Sequence, residues 1–166
     1  MFVDPIMFAD YHLWANNRVR GKLMELTEDE YSEDLIPPLN SIKNHVIHSI
    51  LAVEYNLRVR VDGEKADPHE IGDAVASMSI QEAMQHWEKI DRLLVDFAST
   101  HLDLDATFPN FLGEGEMRVD HDDFLTQYIV HTAYHRSQIM SALRLMGKEG
   151  VGTDYLFYLS HLENTK

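Results

Sequence analysis

His131-Thr132-Ala133-Tyr134-His135-Arg136-Ser137-Gln138 lies inside a long helical pattern that runs from about Asp122 to Met146. Phe124, Tyr128, His131, His135, Gln138, Ala142 and Leu145 alternate by fours and threes, the spacing of one helix face. The two histidines then stand one turn apart, with Cβ atoms roughly 5–6 Å from each other. Phe124 and Tyr128 make the stripe apolar before them, and Ala142 and Leu145 after them. Its middle is polar, with His131, His135 and Gln138 all expected to point inward. A buried polar group without a partner costs on the order of 1–3 kcal/mol, so the pattern predicts something there to satisfy them. Two imidazoles at i and i+4 suit a divalent metal ion. The same spacing also arises by coincidence on helix surfaces. Here a core stripe and a second histidine-bearing helix favour the ion.

Upstream, Asp4-Pro5 is a helix start, an N-cap acceptor followed by proline at the first helical position. Ile6, Met7, Asp10, Leu13, Trp14, Asn17, Val19, Arg20, Leu23 and Met24 follow at helical spacing. Thr27-Glu28-Asp29-Glu30 opens a short turn through Tyr31, and Pro37-Pro38 breaks the chain. Asn40 or Ser41 caps a second long helix to about Val61, ended by Asp62-Gly63. Residues 64–78 read as a loop. Ser79-Ile80-Gln81-Glu82 is a capping box that opens a third long helix to about Thr100. Met84, Trp87, Ile90, Leu93, Leu94 and Phe97 form its apolar side. Residues 102–120 are irregular, and a short hairpin fits them. Asp120 or Asp122 caps the helix of the opening stretch, Gly147 closes it, and Thr153-Asp154 starts a last short helix to about Leu162.

Four long amphipathic helices joined by such long connections predict an all-α fold. The architecture expected is an up-down four-helix bundle with long crossover loops and a short C-terminal helix. Connections of this length cross the ends of a bundle or flank a site. No repeat, low-complexity tract or linker divides the chain, so residues 1–166 are expected to form one domain.

Composition narrows the chemistry. The chain has no cysteine, which removes disulfides, thiolate ligands and a protein-borne sulfur nucleophile. The start, Met1-Phe2-Val3-Asp4-Pro5, lacks the basic segment and apolar run of a signal peptide. No apolar run approaches the roughly 18 residues of a membrane span. A cytoplasmic protein without a membrane partner is expected. The formal charge of −14 repels phosphate backbones, so nucleic acid is not expected as a partner. The ten histidines are many for 166 residues. Trp14, Trp87, Tyr128 and Tyr134 read as core, the two tyrosines also as candidate donors near the site. The acidic runs at 28–34 and 114–123 read as solvated faces.

Two imidazoles do not fill a coordination sphere, so a third ligand should come from another helix. His45 and His48, both on the second long helix, are the candidates. They point about 60° apart at 100° per residue, and periodicity alone does not choose between them.

Four segments, in order, carry a resemblance to the DinB/YfiT-like superfamily of metal-binding helical bundles. Tyr11-His12-Leu13-Trp14-Ala15-Asn16-Asn17-Arg18 resembles the family's opening Tyr-x-x-Trp-Ala-Asn stretch. Ser41-Ile42 followed by His48 resembles its Ser-Ile and downstream histidine. His131-x-x-x-His135-Arg136-x-Gln138 resembles its His-x-x-x-His-Arg-Gly-Gln, and Asp154-Tyr155-Leu156 its closing motif. Ser137 stands where glycine is usual, and Asn56 where the family often has tryptophan. The resemblance favours His48 over His45. It implies one divalent ion on His48, His131 and His135, with water or substrate in the remaining positions. Imidazole suits zinc, nickel, iron and copper alike; zinc, nickel or iron is expected. The family includes transferases and isomerases that use a small cellular thiol, which implies a metal-dependent enzyme, a thiol-dependent S-transferase or a hydrolase. With no cysteine in the chain, such a thiol must arrive as a cosubstrate beside another small-molecule substrate. Arg136, Gln138 and a nearby tyrosine are candidates for substrate contacts. The alternative is a non-catalytic metal-binding bundle, a stress-associated structural dimer. An open cleft reaching the ion favours the enzyme and a closed site favours the alternative. A homodimer is expected in either case.

Overall fold

Asp4 opens α1 (Pro5–Leu23) in the computed structural model, its carboxylate accepting from the Met7 amide at 3.0 Å, with Pro5 at the first helical position. The structure describes residues 4–35 and 37–165. Met1-Phe2-Val3, read above as lacking a leader, lie outside them. α2 (Glu28–Ser32) begins with a capping box between Thr27 and Glu30. Ser41 rather than Asn40 caps α3 (Ile42–Asn56), accepting from the Asn44 amide. The helix continues as a π turn over Leu57–Val61, where the Asp62 amide reaches back five residues to the Leu57 carbonyl at 3.0 Å.

Residues 64–78, expected to be a loop, contain α4 (Pro68–Ala76). Asp67 accepts from the His69 amide at 2.8 Å, and Pro68 takes the first helical position. This is the same aspartate–proline signal that starts α1. Ile71 and Val75, one turn apart, bury its one apolar stripe. The capping box of Ser79 and Glu82 starts α5 (Ile80–Thr100) as expected. Asp120 starts α6 (His121–Leu145) by accepting from the Asp123 amide. Gly147, at φ 72°, ends α6. Its amide donates to the Arg144 carbonyl and the Lys148 amide to the Leu143 carbonyl, the paired bonds that satisfy the last carbonyls of a helix. α7 spans Tyr155–Asn164.

The fold is mostly helical but not all-α. Residues 102–120 hold an antiparallel hairpin, β1 (Asp105–Pro109) and β2 (Glu116–Asp120), in register from Asp105 opposite Asp120 to Pro109 opposite Glu116. Ala106 and Phe108 alternate inward on β1 and Val119 does so on β2, so two short strands bury apolar side chains where a helix of that length would not.

α1 packs on α5 and α6, α3 on α4, α5 and α6, and α7 on α1; the hairpin lies against the π turn and α6. Ala15, Val19, Leu23, Ile42, Val46, Ile50, Leu94 and Leu125 are wholly buried between them. Because α6 touches both α1 and α3, its buried arc is wider than one stripe. Leu125, Ile129, Thr132, Arg136, Ile139 and Leu143 are buried beside the expected set. Leu145, expected inside, is 66% exposed, and Leu93 on α5 is 44% exposed. Among the described residues no helix is long and apolar enough to cross a membrane.

Candidate metal centre

α3 and α6 lie against each other and bring four imidazoles together. The ligand-capable nitrogens of His48, His131 and His135 all lie within 4.8 Å of one another. Ring centroids are 4.6 Å apart for His131 and His135, 4.8 Å for His48 and His135, and 5.1 Å for His48 and His131. The Nε2 atoms of His131 and His135 are 3.2 Å apart. Two nitrogens about 2.0–2.1 Å from one zinc-sized ion at a tetrahedral angle stand roughly 3.3 Å apart, so the α6 pair fits a shared ion as it stands.

Burial holds the rings neutral. His48 and His131 are half-buried, and desolvation lowers both below the ordinary histidine value, with His48 adding to the effect on His131. His135 is nearly enclosed. Desolvation first, then the neighbouring His131, His48 and His45, bring it down to about 3. At neutral pH the three rings therefore have lone pairs to offer, the state a metal requires.

His45, left open against His48 by the sequence, is part of the assembly in another position. Its Nδ1 lies 3.0 Å from Nδ1 of His135, on the side of that ring away from His131. It is fully buried, and its Nε2 has no hydrogen-bond partner among the described residues.

A cleft of about 830 Å³ opens beside the cluster, and His48 and His131 line it. Tyr55, Asn56 and Arg60 come from α3 and its π turn, Phe124 and Tyr128 from α6, and Phe108 and Val119 from the hairpin. Its wall is mainly apolar, with a few polar groups, the usual composition of a small-molecule site. Tyr128 is buried there, and desolvation pushes its hydroxyl well above the usual tyrosine range, an effect that Arg60 partly offsets. Asn56, where a tryptophan is usual in the resemblance, opens onto this space.

Arg136, Gln138 and Tyr134, expected near the site, are not among the residues lining the cleft. Arg136 is buried but faces α1, donating from Nη1 to Asn16 Oδ1 at 2.9 Å and from Nη2 to the Tyr11 hydroxyl at 3.2 Å. Gln138 is half-buried. Tyr134 is 56% exposed, its ring edge-on to His135. Trp87 is core as expected, whereas Trp14 is only partly buried and packs on Tyr11 and Tyr158.

Sequence reasoning missed the polar network on the far side of α6. Asp91 of α5 is buried, and Arg20, Asn16 and His12 of α1 all converge on its carboxylate. Burial works against its charge, but His12 and Arg20 outweigh that and hold the carboxyl below its usual range. Burial keeps His12 below the usual histidine value. Arg136 joins the group through Asn16, so α6 carries one side chain into the imidazole cluster and the next into this network. The signal was present. Asp91 stands four residues after Trp87 and three before Leu94, on an otherwise apolar stripe, and His12, Asn16 and Arg20 share one face of α1.

The model of the DinB family matches residues 1–165. The chain is also similar to protein DinB of Bacillus subtilis (strain 168), 23% identical over 155 residues that cover 90% of this chain and 90% of that protein.

Proposed function

We propose that this chain, which belongs to the DinB family, holds one divalent metal ion on His48, His131 and His135 and is a metal-dependent enzyme, a thiol-dependent S-transferase or a hydrolase. The observation that carries this reading is the cleft: two of the three clustered imidazoles line a space of about 830 Å³. A purely structural ion has no need of such an opening, whereas catalytic sites with three protein ligands leave a position for a reactant. Zinc, nickel or iron suits the all-imidazole donor set. When bound, such an ion lowers the pKa of a coordinated thiol or water and so supplies a nucleophile at neutral pH.

The chain's own residues do the rest. Burial keeps His48, His131 and His135 unprotonated. His45 fixes the orientation of the His135 ring from behind. Phe108, Val119 and Phe124 exclude water from the inner cleft and offer an apolar surface to a small-molecule substrate. The thiol is a low-molecular-weight cosubstrate, since the protein has none of its own. We read residues 1–166 as one domain whose four long helices form an up-down bundle, and the protein as a cytoplasmic homodimer that uses neither nucleic acid nor membrane.

The test is elemental analysis of purified wild type and of His48→Ala, His131→Ala and His135→Ala, followed by an assay of thiol consumption with electrophilic substrates in metal-loaded and chelated protein. Metal lost in each variant, with thiol consumption lost in parallel, is the expected result. Metal retained by all three variants overturns the ligand set. Metal bound by wild type without turnover of any thiol or ester leaves the non-catalytic structural reading.

A further inference from the structure

Arg60 lines the cleft and forms an ion pair with no carboxylate among the described residues. Arg20, Arg58, Arg92 and Arg118 each form one. With 28 acidic side chains against 14 basic ones, Arg60 is not left alone for want of carboxylates. Its Nε is closed off from solvent without a hydrogen-bond partner, and its terminal amino groups, which are not closed off, make no hydrogen bond among the described residues, so they are donors left for an acceptor from outside the chain.

Two features hold it in place. Its guanidinium lies over the Phe108 ring, 5.2 Å from the centroid, within cation–π range. The second is the π turn. Counted at 100° per residue, Arg60 would stand about 120° around the helix from His48. The turn over Leu57–Val61 takes up an extra residue and rotates Arg60 back onto the side of His48, Ala52 and Tyr55, which line the same cleft. π turns of this kind concentrate at functional sites.

We propose that Arg60 makes the cleft a site for a small organic carboxylate with an apolar or aromatic body, the carboxylate on the guanidinium edge and the other end near the histidines. This substrate class rests on reading that same cleft as the active site. A guanidinium edge matches a carboxylate in two parallel hydrogen bonds. The other charged side chain lining the cleft is Asp123, an acid, so apart from an ion on the histidines the cleft offers one cation, enough for one singly charged carboxylate. Phe108, Val119, Phe124 and Val130 supply the apolar wall.

The experiment is calorimetric titration of metal-loaded protein with 3-phenylpropionate, its neutral amide and phenylphosphonate, in wild type, Arg60→Gln and Arg60→Lys. Metal content and thermal melts are recorded for each. Wild type should bind the carboxylate in preference to the amide. Arg60→Gln should weaken carboxylate binding about tenfold or more, the loss of a charged hydrogen-bonded pair, while leaving amide binding, metal content and melting unchanged. Arg60→Lys should recover part of the loss. Repeating the titration on chelated protein separates the two sites: Arg60-dependent binding persists without metal, whereas carboxylate held by the ion disappears. Carboxylate binding equal in wild type and Arg60→Gln, or no binding to wild type at millimolar concentration, overturns the proposal. Arg60-dependent binding that is tighter for the phosphonate overturns the carboxylate assignment. None of these results alters metal content, so the metal reading fails only if the histidine variants keep their ion.

Discussion

Nδ1 of His45 lies 3.0 Å from Nδ1 of His135, so one proton is shared between two rings from different helices. Two neutral imidazoles meeting this way have one donor and one acceptor. If His135 donates, its Nε2 keeps a lone pair facing His131, the arrangement a metal ligand needs. If His45 donates, Nε2 of His135 carries the proton instead. Metal binding therefore selects the first tautomer and makes His45 the orienting partner behind a ligand. His135→Ala should abolish metal binding. His45→Ala should keep it and weaken affinity by roughly 10- to 100-fold, measured by competition with a chromogenic chelator. Equal loss in both variants would make His45 a direct ligand.

The lowered histidine values set a pH window. An unfolded histidine titrates near about 6.5, and in the folded protein His48 and His131 lie below that value and His135 at about 3. A group whose folded value is depressed contributes stability above its unfolded value and loses it as pH falls toward the folded one. Stability and metal content should thus be steady above about pH 6.5 and fall together on acidification toward about 3. Urea unfolding of metal-free wild type and His135→Gln across this range checks the sign. The variant should show the shallower decline, and a steeper one would contradict the assignment.

Asp91 is the anchor of the second polar cluster. It is 1% exposed, and Arg20, Asn16 and His12 all depend on it. Removing one partner of a buried ion pair costs about 3–5 kcal/mol, so Asp91→Ala should lose about that much in denaturant unfolding. A loss below about 1 kcal/mol, the range of exposed pairs, would show that Arg20 finds water.

Chelation should lower the melting temperature. An ion bound only by the folded state contributes about 2.7 kcal/mol at a hundredfold excess over Kd, which for a chain of this size is roughly 5–10 °C. Re-adding metal should restore it, with metal content followed in parallel. Loss of metal without a shift would show that the core is complete without the ion, and that the site serves chemistry alone.

Much of the helical framework was legible because it is written locally. Asp4, Ser41, Ser79 and Asp120 cap helices through contacts three residues away, and Gly147 closes one through its own φ. The spacing of His131 and His135 placed both imidazoles one turn apart before any neighbour was known. α4 was equally local and was misread: Asp67-Pro68 repeats the chemistry of Asp4-Pro5, but nine residues gave too short a periodic run to outweigh the loop reading.

What the tertiary structure alone decided is how the helix faces meet. The 60° between His45 and His48 became two roles, with His48 beside the α6 pair and His45 behind His135, only when α3 docked on α6. Arg136 turned to α1 rather than to the cleft because α6 is buried on two sides. Asp91 and its partners are ordinary polar helix positions until α1 and α5 close on each other, and Arg60 faces the cleft because a π turn resets the register. Helical periodicity follows from backbone angles that each residue sets with its near neighbours. The pairing of stripes depends on crossing angles and register between segments up to a hundred or more residues apart, and packing, not periodicity, sets those.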